Sequence, residues 1–156
     1  MIKSSHNSTA LLWILVLVPC LCDCVHNNSR KDFQYAIIAF DEKEQGLFTT
    51  AKPTNLTKLE IDTVETILRQ AVQQYNQGMK NERYLIKPLT NYIRQYIPVL
   101  NDKGEREVYV NCFCSTGDDK WKTEIVGASD GGNCYFHVKI NLTAKTYSQL
   151  AVNGYG

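Results

Sequence analysis

The run Glu107-Val108-Tyr109-Val110-Asn111-Cys112-Phe113-Cys114 alternates strictly: Val108, Val110, Cys112 and Cys114 share one parity, and Tyr109, Asn111 and Phe113 the other. Side chains along a strand point to opposite faces with period two, so this run needs an apolar core on one side and an aromatic-polar surface on the other. Residues 134–142 repeat the pattern. Cys134, Phe136, Val138, Ile140 and Leu142 fall on one face, and Tyr135, His137, Lys139 and Asn141 on the other. Two further runs read as strands. Asn91 to Leu100 carries Pro98 near its end, which points to an edge position or a bulge, and Trp121 to Ala128 is the second. Short turns at 101–104, 116–119 and 129–133 join these runs into an antiparallel up-down meander. The Gly131-Gly132 pair calls for positive φ in the last of those turns.

An apolar sheet face must be covered, and the chain offers one strong cover. Thr57-Lys58-Leu59-Glu60 has capping-box spacing, and Ile61, Val64, Ile67, Leu68, Ala71, Val72 and Tyr75 follow at three- and four-residue steps. Glu65, Arg69, Gln70 and Gln73 are expected on the outer side, and Gly78 supplies a stop. Upstream, Phe33 to Phe40 reads as a first strand, Asp41 to Gly46 as a charged turn and Leu47 to Ala51 as a short extended piece. The expected class is α+β: one long amphipathic helix packed on a four- to five-stranded antiparallel sheet, in a single domain over residues 33–156.

The order strand, helix, four strands over about residues 33–142 resembles the cystatin-like arrangement, in which a sheet wraps one helix. Cystatins that inhibit papain-type proteases use a Gln-x-Val-x-Gly hairpin and a Pro-Trp pair. Here the first hairpin tip is Asn101-Asp102-Lys103-Gly104, the chain holds no Gln-x-Val-x-Gly, and Trp121 follows Lys120. Protease inhibition is therefore not carried over. The closing Asp130-Gly131-Gly132-Asn133-Cys134-Tyr135-Phe136, Asn141-Leu142-Thr143 and Val152-Asn153-Gly154-Tyr155 also resemble small exported proteins of Bacteroides-type bacteria. That resemblance implies export and brings no activity with it.

Residues 1–24 read as a signal peptide. Lys3 precedes the unbroken apolar run Ala10 to Val18, which is shorter than the roughly 20 residues a membrane span needs, and Pro19 and Asp23 interrupt it. Leu17-Val18-Pro19-Cys20 and Leu21-Cys22-Asp23-Cys24 resemble a lipoprotein signal with a poor small-residue slot. Lipid attachment at Cys20, Cys22 or Cys24, plain cleavage and a retained anchor all stay open, so the expected address is the cell envelope or outside the cell. Residues 25–32 form an exposed polar leader. Membrane contact is expected only through the signal or a lipid. A formal net charge of +1, with no basic run interleaved with aromatics, disfavours nucleic acid. Asn-x-Ser/Thr triplets at Asn7, Asn27, Asn55 and Asn141 are glycan acceptors only in a eukaryotic secretory pathway.

Candidate chemistry is sparse. Cys112, Cys114, Cys134 and His137 include a Cys3His donor set, yet Cys134 and His137 are three apart on a strand and so face opposite ways. In a simple meander the strands holding Cys114 and Cys134 are two spacings apart, roughly 9.5 Å, beyond the roughly 7 Å that a disulfide tolerates between Cα atoms. The expectation is therefore free, small apolar cysteines packed against the helix, with no metal, cofactor or cysteine nucleophile. The remaining feature is the second sheet face: Tyr109, Asn111, Phe113, Tyr135, His137 and Lys139, with Tyr92, Arg94 and Tyr96 as candidate additions. An exposed aromatic-polar face suits a protein or polymer ligand, and the competing use is cross-strand packing or burial under the chain ends. The chain reads as an exported, non-catalytic binding module. The rivals are a small-molecule pocket or enzyme of the cone-shaped α+β type, and a structural subunit of an envelope complex.

Overall fold

The computed structural model describes residues 33–41 and 46–156. The signal peptide, the leader, Cys20, Cys22, Cys24 and the first two glycan triplets lie outside the described residues, as does most of the charged turn after Asp41. Among the described residues the fold is α+β, with one α-helix and a six-stranded mixed sheet. The strands are β1 (Tyr35–Ile37), β2 (Ala51–Pro53), β3 (Ile93–Asn101), β4 (Arg106–Phe113), β5 (Tyr135–Asn141) and β6 (Thr146–Val152), and the helix is α1 (Lys58–Gly78). Strand order is β1-β3-β4-β5-β6, and β2 also pairs with β3.

The helix starts where its capping box demands. The Thr57 Oγ1 accepts from the Glu60 amide, and the Glu60 carboxylate accepts from the Thr57 amide at 2.8 Å. Arg106, at the start of β4, pairs its Nε with Glu60 Oε1 at 2.6 Å and so ties the helix N-terminus to the sheet. The stripe Ile61, Val64, Ile67, Leu68, Ala71 and Val72 is buried against Tyr96, Val108, Val110, Cys112, Phe136, Val138 and Ile140. Apart from Tyr96, those sheet positions belong to the even-numbered face that the alternation marked as apolar.

Four expectations need correction. The sheet is not wholly antiparallel, because β1 runs parallel to β3. Asn91 to Leu100 is not an edge: β3 pairs with β4 along one side and with β1 and then β2 along the other. Pro98 fits an internal strand because its missing N–H lies on the β1/β2 side. There β1 has ended with the bond from the Ile38 amide to the Tyr96 carbonyl, and the next bond is accepted by the Pro98 carbonyl from Thr54. Residues 121–128 do not form a strand. Asp119–Lys122 is a 3-10 turn followed by irregular chain, which leaves β4 and β5 as direct neighbours. Finally, the chain after 142 returns as β6, whose alternation is broken opposite Val138 by a bulge at Gln149 (φ 54°).

Glu65 is also not on the outer side. It is 6 % exposed, and its Oε1 forms an ion pair with Arg94, 2.9 Å from Nε, and accepts a hydrogen bond from the Tyr96 hydroxyl at 2.7 Å. Arg94, itself 2 % exposed, donates through its other nitrogens to the Tyr92 and Leu89 carbonyls at 3.1 Å. Burial, and then the Glu65 charge, push the Tyr96 phenol far above its ordinary value, so Tyr96 acts only as a donor here. Removing one partner of a buried pair strands the other charge, which costs about 3–5 kcal/mol. Glu65→Ala should therefore lower the urea-unfolding free energy by about that amount. A loss below about 1 kcal/mol would mean that Arg94 is not dependent on Glu65.

Candidate functional site

The six residues singled out on the second face do come together. Tyr109 pairs with Lys139, Asn111 with His137 and Phe113 with Tyr135, as three successive cross-strand pairs of β4 and β5. Tyr92, Arg94 and Tyr96 do not join them. Arg94 and Tyr96 are in register with Cys112 and Val110 and share their helix-covered face, while Tyr92 is buried against Phe136.

The face is largely roofed over. Ala36, Ile38, Phe40 and Phe48 pack from one side, and Trp121 packs from the other with its ring 6.2 Å from that of Phe113. Phe113 is fully buried and Asn111 is 8 % exposed, so neither offers a contact surface. Two amide side chains hold the Trp121 segment in place. Gln95 Nε2 donates to the Trp121 and Glu124 carbonyls, both at 2.6 Å, while its Oε1 accepts from the Val126 amide at 2.9 Å and from Asn111 Nδ2 at 3.0 Å. Asn111 Nδ2 also donates to the Val126 carbonyl at 2.8 Å. These bonds satisfy backbone groups that a neighbouring strand would otherwise take, which is why residues 121–128 pack over the sheet instead of joining it.

What stays half-exposed is a strip of Tyr135, His137, Tyr109 and Lys139. The Tyr109 and His137 rings stack at 5.3 Å with an interplanar angle of 23°. The Lys139 ammonium lies 4.8 Å from the centre of the Phe48 ring. Beyond Lys139 the strip runs into a recess of about 390 Å³ bounded by Phe48, Thr49, Asn101, Glu105, Glu107 and Asn141. Asn101 Nδ2 donates at 3.0 Å to both the Glu105 and Glu107 carboxylates, and Asn141 Nδ2 donates to Glu105 at 3.0 Å. Those amide bonds hold the Glu105 carboxyl below its ordinary value. Glu105 and Glu107 share parity with Tyr109, so the polar end of the strip was visible in the alternation. Gln95 was not, because its backbone partners lie 26 or more residues away along an irregular segment.

The cysteines differ from expectation. Cys114 and Cys134 form a disulfide with Cα atoms 5.1 Å apart, and Cys112 is a free, fully buried thiol. The separation of two strand spacings assumed an intervening strand over 121–128. Without it, β4 and β5 are adjacent and the bridge closes. Burial pushes the Cys112 thiol up against a smaller opposing effect of Arg94, so it carries no thiolate at neutral pH. Among the described residues no three His, Cys, Asp or Glu side chains are gathered to hold a metal ion, and no helix is long and apolar enough to cross a membrane.

No family model, curated protein or solved structure matches this chain.

Burial, and secondarily the Lys139 charge, lower the His137 pKa below 6.5. Below that value the unfolded chain takes up a proton that the folded chain refuses, so the stability held above about pH 6.5 declines as pH falls. Urea midpoints measured between about pH 7.5 and pH 5 should fall in the wild type, and His137→Gln should flatten that slope. An unchanged slope would assign the effect to other groups.

Proposed function

We propose that this chain is an exported, non-catalytic binding module whose ligand lies along the Tyr109–His137–Lys139 strip and reaches into the adjoining recess. The observation that carries the reading is the half-exposed Tyr109–His137 stack beside a recess ringed by amides and carboxylates. A flat aromatic platform next to fixed donors and acceptors suits a hydroxyl-rich polymer or a polar protein segment. Export draws support from the Cys114–Cys134 bridge, since disulfides persist in oxidising compartments. Lipid attachment at Cys20, Cys22 or Cys24 stays part of the proposal as one way to hold the module at the envelope. A helix laid on a sheet supports a cystatin-like arrangement, whereas the parallel β1 and the mixed sheet depart from it.

The cone-type alternative needs a ligand space between helix and sheet. That interface is packed with Val64, Leu68, Val110, Val138 and Ile140, and its polar groups are taken up in the Glu65–Arg94–Tyr96 contacts. An open edge at 91–100 would have favoured the envelope-subunit alternative, and that strand is paired on both sides.

Binding of the mature protein to a panel of soluble polysaccharides and envelope extracts, followed by titration of the best binder, tests the reading. Tyr109→Ala should weaken that binding about tenfold, equal to ~1.4 kcal/mol, while the fold is kept. Binding indifferent to both Tyr109→Ala and Lys139→Ala would move the site off this strip.

A further inference from the structure

The Cys114–Cys134 bridge has surroundings that a purely structural bond does not need. Both residues are half-exposed at the end of the β4–β5 ladder, where the Cys114 amide donates to the Cys134 carbonyl at 3.0 Å. The two sulfurs are not equivalent. A recess of about 390 Å³ lined by Phe33, Gln34, Thr90, Asn91 and Tyr92 opens onto Cys114. The Lys87 ammonium lies 3.8 Å from Cys134 Sγ. The backbone that carries Lys87 is held in place. Its amide donates to the Tyr92 hydroxyl at 3.1 Å, that hydroxyl donates to the Asn133 carbonyl at 2.6 Å, and Asn133 Nδ2 donates to the Leu85 carbonyl at 2.7 Å.

We propose that this bridge is a site of directional thiol–disulfide exchange with an external protein dithiol, with Cys114 the attacked sulfur and Cys134 the leaving one. A thiolate of the dithiol attacks Cys114 Sγ from the recess. The S–S bond breaks, its electron pair leaves on Cys134 Sγ, and the Lys87 ammonium stabilises the new thiolate. The second thiol of the partner then resolves the mixed disulfide. The partner ends oxidised, and Cys114 and Cys134 end as two thiols. A cation beside the leaving sulfur lowers its basicity and speeds its departure, while the recess that Cys114 lines gives a nucleophile an approach to that residue. Cys112 does not compete: it is fully buried on the helix-covered face two residues away. Reduction would open the covalent loop of residues 115–133, while the Gln95 and Asn111 bonds keep Trp121 over the second face.

The test treats the full chain with glutathione, quenches with an alkylating agent and maps the modified peptides. Glutathione should be found on Cys114 over Cys134 by about tenfold or more, and Lys87→Met should slow cleavage about three- to tenfold while Lys87→Arg restores most of the rate. Reduction by a small dithiol should proceed with the Trp121 environment still folded. Three results would overturn the proposal: label shared evenly or found on Cys134, a Lys87→Met rate equal to wild type, or cleavage no faster than global unfolding. None of these depends on whether the Tyr109 strip binds a ligand.

Discussion

Two adjacent residues of β3 carry the polar fastening of both layers. Arg94 points to the helix side, where it meets Glu65, and Gln95 points to the other, where it meets the backbone of residues 121–126. Because neighbours on a strand face opposite ways, one dipeptide in the sheet interior anchors a cover on each face. Both side chains are almost completely buried, so each is costly unless it is partnered: Arg94 has the Glu65 carboxylate and two backbone carbonyls, and Gln95 uses both ends of its amide. Apolar contact alone would press a helix and a loop against the sheet in many ways. The directional bonds at Arg94 and Gln95 select one of them.

The two covers differ in kind, and that difference locates the site. The helix buries a continuous aliphatic stripe against the even-numbered face. The second cover is assembled from separate pieces: β1 with Phe40 and Phe48 on one side, and the Trp121 segment on the other. Between them lies the half-exposed strip from Tyr135 to Lys139. A ligand surface there is made by incomplete roofing over a second core, and its shape depends on how the Trp121 segment is held. Gln95 and Asn111 hold it from below, and the Cys114–Cys134 bridge closes it at its base.

Period-two and helical patterning made α1, β3, β4 and β5 legible, together with the capping box, the 101–104 hairpin and the positive φ at Gly131 and Gly132. Local chemistry settles those features. What could not be read depends on distant partners. The segment 121–128 has a strand-like composition, yet its carbonyls are claimed by two amides on the sheet, and from that one misreading followed the wrong strand spacing and the wrong cysteine state. β6 was hidden because its bulge breaks the alternation that marks a strand. Glu65 was the nearest miss, since it stands at helical spacing with Ile61, Leu68 and Val72, and a carboxylate inside a buried stripe points to a buried cation. The six candidate site residues were placed on one face correctly, but the burial of Phe113 and Asn111 needed knowledge of what lies above them.

The central claim is that Gln95 fastens the second cover independently of the helix. Amide hydrogen exchange on wild type and Gln95→Leu measures this most directly, because the Val126 N–H bonds to the Gln95 side chain and to no strand. The account predicts that Val126 and its neighbours from 121 to 126 lose most of their protection in Gln95→Leu, while helix amides between 64 and 72 keep theirs. Retained protection at Val126, or equal loss in the helix, would contradict it.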